Sequence, residues 1–255
     1  MELASENLWH VTVAFGFAVA GGAISGLVGL SHRRLCLLIS LAAGTLLGVT
    51  VFSILPQARE NMRGWELALA VASGYLVFSL ISRYVYHVCP ACAASHFDEA
   101  STQHFRQIAT ALILALGIHS TMDGIALVAG HETHAANGRL DLSLLAAISI
   151  HKVPEGLALG SLLLGAGLQR LPAIGWVAAV EATTLLGGAF GWLFLREVSA
   201  FWLNAVLAHA GGGFLFLAIH AVLGEMLKHG KTPVLASFLA GLLLIGVLNL
   251  ALRAL

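Results

Sequence analysis

Eight apolar stretches follow one another along the chain, separated by short polar connections. Each is about 20 residues long or more, which is the length an α-helix needs to cross the hydrocarbon core of a bilayer. Backbone polar groups cannot stay unpaired in lipid, so such stretches predict helices. We therefore expect an all-α integral membrane protein in a single transmembrane domain, residues 1–255, with spans at about 8–30, 35–55, 65–86, 107–130, 142–168, 171–195, 200–227 and 233–254.

The composition of the chain agrees with this class. Hydrophobic residues make up 58% of it and charged residues 10%, which is not the balance of a soluble globular domain. We therefore expect a lipid bilayer around the protein. Lysine plus arginine equals aspartate plus glutamate, at 13 each, so we expect no nucleic-acid or other strongly charged partner. The chain also lacks the Gly-x-x-x-x-Gly-Lys-Ser/Thr pattern of nucleotide-driven proteins.

Basic residues in the connections predict the orientation, because cytoplasmic loops carry more of them. With the N-terminus outside, seven basic residues fall on the inner side and five on the outer side. The sequence therefore predicts a multi-pass protein of the cell membrane with both termini outside. The inner residues are Arg33, Arg34, Arg83, Arg106, Arg170, Lys228 and Lys231, and the outer ones are Arg59, Arg63, Arg139, Arg196 and Arg253.

Two short motifs place ionisable residues inside consecutive spans. His119–Gly124 in the fourth span and His151–Gly156 in the fifth both read His-x-x-x-acid-Gly. Residues four apart lie on one face of a helix, so each helix points an imidazole and a carboxylate the same way. Ionisable residues at bilayer depth are costly and usually functional.

The donors of these motifs suit a transition metal. Two nitrogens with two or more oxygens favour Zn²⁺ and its neighbours over Ca²⁺ or Mg²⁺, which prefer oxygen alone. The alternative is a pair of buried His–acid ion pairs that hold helices together. Gly124 and Gly156 would let the helices approach closely, and Pro154 would free the carbonyl of Ile150.

An internal repeat links the second and seventh spans. Residues 43–52 resemble residues 211–220 at a constant offset, and four spans lie between them, so the copies run in opposite directions. Inverted repeats are typical of transporters that hold their substrate near the membrane midplane. Gly-rich apolar helices can also resemble each other through composition alone.

These motifs and the number of spans resemble the ZIP family of metal-ion permeases, including its prokaryotic branch. The fifth-span motif matches the family form His-x-x-Pro-Glu-Gly, whereas the fourth departs from His-Asn-x-Pro-Glu-Gly at Ser120, Met122 and Asp123. The resemblance covers essentially the whole chain. It implies a 3+2+3 arrangement with inverted repeats, and it implies that His119, Asp123, His151 and Glu155 are direct metal ligands.

In many members of that family a second metal uses the residue after each histidine and a glutamate of the sixth span. Ser120, Lys152 and Glu181 stand at those positions, so the resemblance adds Glu181 to the metal-site residues. A protonated lysine has only donors and cannot bind a metal. We infer that the charge of Lys152 substitutes for the second ion, balanced by Glu181 and Glu155, and that the site holds one metal. The alternative is that Lys152 reaches a lipid headgroup.

Other candidates are accessory. His220 and Glu225 match positions along the family's exit route, or they make packing hydrogen bonds, and Thr45 lies on a stretch that contributes to the site in relatives. The loop 87–106, cytosolic in this orientation, carries two thiolates and two imidazoles, which we interpret as a regulatory or capture site for zinc; the alternatives are a redox-active cysteine pair and simply reduced cysteines. On the outer side, residues 131–134 could gather cations or be merely solvated. The loop residues are His87, Cys89, Cys92 and His96.

Together these features predict a transporter and not an enzyme, with no catalytic cofactor. Its cargo would be Zn²⁺, with Fe²⁺, Mn²⁺, Co²⁺ or Cd²⁺ as further candidates, taken into the cytoplasm by alternating access. Spans one, four, five and six would carry the ion, as the resemblance implies. An intramembrane zinc hydrolase and a passive metal pore are the alternatives. A homodimer is one assembly that the sequence leaves open.

Overall fold

The structure, a computed structural model, describes residues 2–27, 32–84, 102–133, 139–195, 197–229 and 231–254. These residues form helices with short turns and contain no strand, so the predicted all-α fold is confirmed. The helices are α1 (Glu2–Leu27), α2 (His32–Val49), α3 (Leu55–Asn61), α4 (Gly64–Tyr84), α5 (Thr102–Thr133), α6 (Arg139–Gly165), α7 (Arg170–Leu195), α8 (Ala200–His229) and α9 (Lys231–Ala254).

Within the described residues, seven stretches are long and apolar enough to cross a membrane. They are Trp9–Leu27, Leu37–Asn61, Gly64–Ile81, Leu142–Leu164, Arg170–Leu195, Ala200–His220 and Thr232–Leu252. Helix α5, with 32 residues, is also longer than a span requires. Helix α5 extends beyond the predicted 107–130 at both ends, and α1 begins at Glu2, ahead of the predicted residue 8.

The second span contains a π-helical turn, Thr50–Ile54, between α2 and α3. Pro56 follows directly and has no N–H to donate to the preceding turn, which favours a local change of helix type. The backbone N–H of Leu55 donates to the carbonyl of Thr50, and the Thr50 hydroxyl donates to the carbonyl of Leu46 at 2.8 Å. These bonds keep the span continuous through the proline.

The surface of the bundle is apolar and much of its polar chemistry is inside. Large hydrophobic side chains such as Leu171, Leu186 and Leu250 are well exposed, whereas Lys152 and Glu181 are fully buried. A soluble monomer rarely exposes so much apolar surface, and a bilayer would cover it. This distribution agrees with the span assignments.

The helices pack in two groups. One consists of α1, α5, α6 and α7, with close packing of α5 on α7 and of α1 on α6; the other consists of α2, α4, α8 and α9, with close packing of α2 on α9 and of α4 on α8. The groups meet chiefly where α2 contacts α6 and α5 contacts α8. Helices α5 and α6, which carry the two predicted motifs, therefore lie between their own group and the other.

The crossing of α5 on α7 and the crossing of α6 on α1 are equivalent, as an inverted repeat requires. Gly124 packs on the α7 backbone at Thr184, and Gly156 packs on the α1 backbone at Ala18. A Cβ at either glycine would collide with the carbonyl oxygen of its neighbour, so only glycine permits these crossings. In the other group the matching crossings are made by Gly44 and Gly241 between α2 and α9, and by Gly74 and Gly212 between α4 and α8.

Candidate metal centre

Four of the predicted ligands converge between α5 and α6. His119 and Asp123 come from α5, and His151 and Glu155 come from α6; each offers one ligand atom, and all four atoms lie within 4.8 Å of one another. Each pair is separated by one helical turn, so both side chains leave the same face of their helix. All four residues are buried.

The short distances cross from one helix to the other. His119 Nε2 lies 2.8 Å from Glu155 Oε1, and His151 Nε2 lies 3.4 Å from Asp123 Oδ2. Within each helix the corresponding distances are 3.5 Å for His119 to Asp123 and 3.6 Å for His151 to Glu155. Nitrogen and oxygen donors thus alternate around one centre, an arrangement that suits four-coordinate Zn²⁺.

The orientation of His151 is fixed by its backbone. Its Nδ1 lies 3.2 Å from the carbonyl oxygen of Ala147, one turn earlier, and because a carbonyl only accepts, Nδ1–H is the donor. Nε2 is then the nitrogen that carries a lone pair toward the centre. A ligand histidine commonly has this kind of supporting hydrogen bond, which sets both the tautomer and the ring position.

Two phenylalanines of the other helix group cover the histidines. The ring of Phe78 on α4 stands edge-on to His119, with centroids 5.8 Å apart. Phe214 on α8 lies 6.5 Å from His119 and 6.4 Å from His151. Both phenylalanines are buried. A buried apolar cover of this kind strengthens electrostatic interactions at the donors. No sequence pattern distinguished these two phenylalanines from other apolar residues.

Lys152 occupies the centre of an adjoining charged cluster. Its Nζ lies 2.8 Å from Asp123 Oδ2, 2.9 Å from Glu155 Oε2 and 3.0 Å from Glu181 Oε2. It also donates a 2.7 Å hydrogen bond to Ser120 Oγ, which in turn donates to Glu181 Oε2 at 3.0 Å. The three positions that the family resemblance assigns to a second metal are thus joined to one another by hydrogen bonds.

The charges of this cluster leave room for one divalent ion. Asp123, Glu155 and Glu181 supply three carboxylates, and Lys152 supplies one ammonium. The ionised groups therefore carry two excess negative charges beside two histidines, and one divalent cation would neutralise them. Glu181 lies with Lys152 and Ser120 and is not one of the four clustered ligands.

Comparison with known proteins identifies the family of the chain. A profile described as ZIP zinc transporter matches residues 90–252, which is more than half of the sequence. The chain belongs to the ZIP family. The zinc transporter ZupT of Salmonella paratyphi A is 26% identical over 82% of each chain, and an uncharacterized protein of Methanocaldococcus jannaschii is 26% identical over 83% of each. The zinc transporter ZIP9 of Xenopus tropicalis is 26% identical over 66% of this chain and 65% of its own.

ZIP membership makes the protein a multi-pass membrane protein and a transporter of metal ions rather than an enzyme. The resemblance inferred from the two motifs is therefore confirmed. The profile match includes both motifs, and the buried cluster of His119, Asp123, His151 and Glu155 has donors that fit a metal ion.

The accessory candidates are not among the four clustered donors, and some of them fall outside the described part of the chain. Thr45 is fully buried in α2 and donates to the carbonyl of Ala42 at 2.8 Å. His220 on α8 stacks on Phe216 with centroids 3.9 Å apart, and its Nδ1 lies 3.0 Å from the Phe216 carbonyl oxygen. The side chain of Glu225 falls outside the described residues, as does the whole loop set of His87, Cys89, Cys92 and His96.

Proposed function

We propose that this protein takes divalent transition-metal ions, above all Zn²⁺, into the cytoplasm as a secondary transporter. The observation that carries the proposal is the cluster of two imidazoles and two carboxylates, buried together within 4.8 Å. The same donors accept Fe²⁺, Mn²⁺, Co²⁺ and Cd²⁺, which would be secondary cargo. The zinc named for ZupT and ZIP9 supports the same assignment.

The burial of the cluster supports alternating access over a continuous pore. His119 and His151 are each 2% exposed, and Asp123 is fully buried. An ion bound there would be closed off from both sides, so helices must move before it can leave. In the proposed cycle α1, α5, α6 and α7 carry the ion, and α2, α4, α8 and α9 form the frame.

Lys152 supports a site for one metal at a time. Its ammonium fills the space between Asp123, Glu155 and Glu181, where a second cation would otherwise bind. A built-in positive charge would hold these carboxylates in place without a second metal. Glu181 would then act through Lys152 and not by binding the transported ion.

Orientation and assembly complete the proposal. The chain would form one transmembrane domain of the cell membrane with both termini outside, which puts the loop 87–106 in the cytoplasm. There His87, Cys89, Cys92 and His96 would bind metal in a regulatory or capture role. A homodimer stays a prediction.

Radiolabelled Zn²⁺ uptake into proteoliposomes tests the central claim. His119→Ala and Glu155→Ala should each abolish saturable uptake, because each removes a metal ligand from a site that has four. His209→Ala is the matched control, since His209 is a half-buried histidine on α8 whose Nδ1 lies 2.8 Å from Ser73 Oγ and which is not one of the four clustered residues. If both ligand variants transport normally, the proposed site is wrong.

A further inference from the structure

A second pair of histidines meets in the same helix group. His10 on α1 and His131 on α5 are far apart in sequence, yet their ring centroids are 5.3 Å apart with an interplanar angle of 66°. The side chains are largely buried, at 8% and 7% exposure. Residues next to them in the sequence, Val11, Val128 and Ala129, belong to one hydrophobic core cluster.

The spacing of this pair is close to that of the two metal-site histidines, whose centroids are 5.5 Å apart. A Zn–N bond is about 2.0–2.1 Å, so two imidazoles on one tetrahedral ion have ring centroids roughly 5 Å apart. Small rotations of the rings would therefore allow His10 and His131 to bind one ion together. Water or further donors would complete the coordination.

The pair lies toward one end of the group, well separated from the four-residue cluster. His131 follows His119 by twelve positions, which corresponds to about 18 Å along α5. His10 stands beside Trp9, where the first apolar stretch begins. An ion held by these histidines would be distinct from one held by His119 and His151, but on helices that both sites share.

The two ends of this helix group are related by the inverted repeat, but they carry different residues at equivalent positions. In the repeat, His119 corresponds to His151, and at the same offset His131 corresponds to Leu163. Likewise Gly22 corresponds to Gly188, and at that offset His10 corresponds to Trp176. The repeat thus supplies two histidines toward one end and a leucine and a tryptophan at the equivalent positions. Packing symmetry alone does not require imidazoles at these two positions, and ionisable residues in membrane spans are usually functional.

We propose that His10 and His131 form a second binding site for a divalent transition-metal ion of the Zn²⁺ class. With the N-terminus outside, this site accepts the ion on the outer side before it reaches the four-residue cluster. That role in uptake rests on the proposed function, whereas binding itself does not. Two imidazoles bind an ion more weakly than four protein ligands do, which suits a site that must release its ion inward.

A spectroscopic experiment tests the coordination directly, with Co²⁺ as the probe and the full chain in nanodiscs. The starting variant has Cys36, Cys89 and Cys92 changed to Ser and His119 and His151 changed to Ala, which removes the native thiols and the central site. Adding His131→Cys should then produce a near-ultraviolet sulfur-to-cobalt charge-transfer band, and adding His10→Ala to that variant should abolish it. A band that persists without His10, or no band at all, overturns the proposal.

Zn²⁺ binding supplies the second readout. In the same starting variant, with the native pair intact, His10→Ala or His131→Ala should weaken radiolabelled Zn²⁺ binding by more than about tenfold, because even a residue that only supports a metal ligand contributes about that much. His209→Ala should leave it unchanged. If all three variants bind equally, the pair is a packing contact. Gel filtration checks that the variants are folded, and the thiolate experiment decides the matter if His10→Ala is not.

Transport then separates this inference from the proposed function. In the otherwise native chain, His10→Ala should raise the Zn²⁺ concentration that gives half-maximal uptake and leave the maximal rate unchanged, because the central site is intact. A reduced maximal rate with unchanged half-saturation contradicts the accepting role. A native protein that binds Co²⁺ at the pair but transports no metal contradicts the proposed function and leaves the second site standing.

Discussion

Removing the charge of Lys152 should destabilise the metal-free protein more than removing an exposed basic residue. Lys152→Met keeps the length and apolar stem of the side chain but leaves Asp123, Glu155 and Glu181 facing one another without the ammonium. The three carboxylate oxygens lie 2.8–3.0 Å from Nζ in the native chain. Arg170→Gln, an exposed residue at the start of α7, is the control.

The expected cost follows from these distances. A unit charge pair at 3 Å interacts with about 5–6 kcal/mol at an effective dielectric constant of 20. Much of this offsets the desolvation of the buried groups, so breaking a buried ion pair costs about 3–5 kcal/mol. For a chain of this size that lowers the unfolding midpoint by on the order of 10 °C. The Arg170 control should lie within about 0.5 kcal/mol of the native protein.

Zn²⁺ should reverse the loss of stability in Lys152→Met, because a divalent cation can replace the positive charge of the missing ammonium. At a free concentration a hundred times its Kd, a bound ligand stabilises the folded state by about 2.7 kcal/mol. Thermal unfolding in detergent, measured with EDTA and again with excess Zn²⁺, should therefore show a large loss for Lys152→Met in EDTA and a much smaller one in Zn²⁺. Equal unfolding midpoints for variant and native protein in EDTA would refute the reasoning.

Lys152→Asp extends the test to stoichiometry. It replaces the ammonium with a fourth carboxylate. Two divalent ions are then needed to neutralise the carboxylates, whereas one is enough in the native site. Equilibrium binding of Zn²⁺ should rise by one ion per chain relative to native protein. A folded Lys152→Asp protein that binds no additional metal would show that Lys152 does not stand in for a second ion.

Three further predictions concern packing and protons. Gly156→Ala places a Cβ against the carbonyl oxygen of Ala18 and should cost about 1–3 kcal/mol or more, whereas Gly175→Ala, with open space around it, should cost nothing in the same unfolding assay. Asn249→Leu removes a 2.6 Å hydrogen bond to Ser53 and should cost about 0.6–1.7 kcal/mol while Zn²⁺ uptake persists; a loss of uptake would give the bond a role in transport. Uptake should fall as the pH drops, because protons compete with metal for imidazole and carboxylate ligands, and a flat profile from pH 5 to 8 would contradict this.

The four-residue cluster was predictable from the sequence because its geometry is local. A histidine and an acid one turn apart must share a helix face, and consecutive spans with the same motif are close neighbours in a bundle. The positions of His119, Asp123, His151 and Glu155 follow from these two facts. Their side-chain partners, such as the 2.8 Å contact of His119 with Glu155, required the structure.

Features that depend on distant parts of the chain were not predictable. The π-helical turn at Thr50–Ile54 was also not predictable, although its cause in Pro56 is local. Apolar periodicity does not show whether a proline is accommodated by a kink or by a wider turn. The hydrogen bonds that join Ser53 to Ser143 at 2.9 Å and to Asn249 connect three spans. The approach of His10 to His131 likewise depends on how α1 packs against α5, and no periodic pattern in the sequence predicts it.

The glycine crossings determine which parts of the bundle can slide. At Gly124 and Gly156, and at their counterparts between α2 and α9 and between α4 and α8, backbone touches backbone inside one helix group. Such pairs would move as rigid units, because the close contacts at the crossings are with backbone carbonyl oxygens, which cannot change rotamer as a side chain can. Between the groups, α2 meets α6 and α5 meets α8 through side chains, which can change rotamer at small cost. Motion would concentrate on these two surfaces, and an ion that has reached the donors on α5 and α6 would from there move together with these two helices.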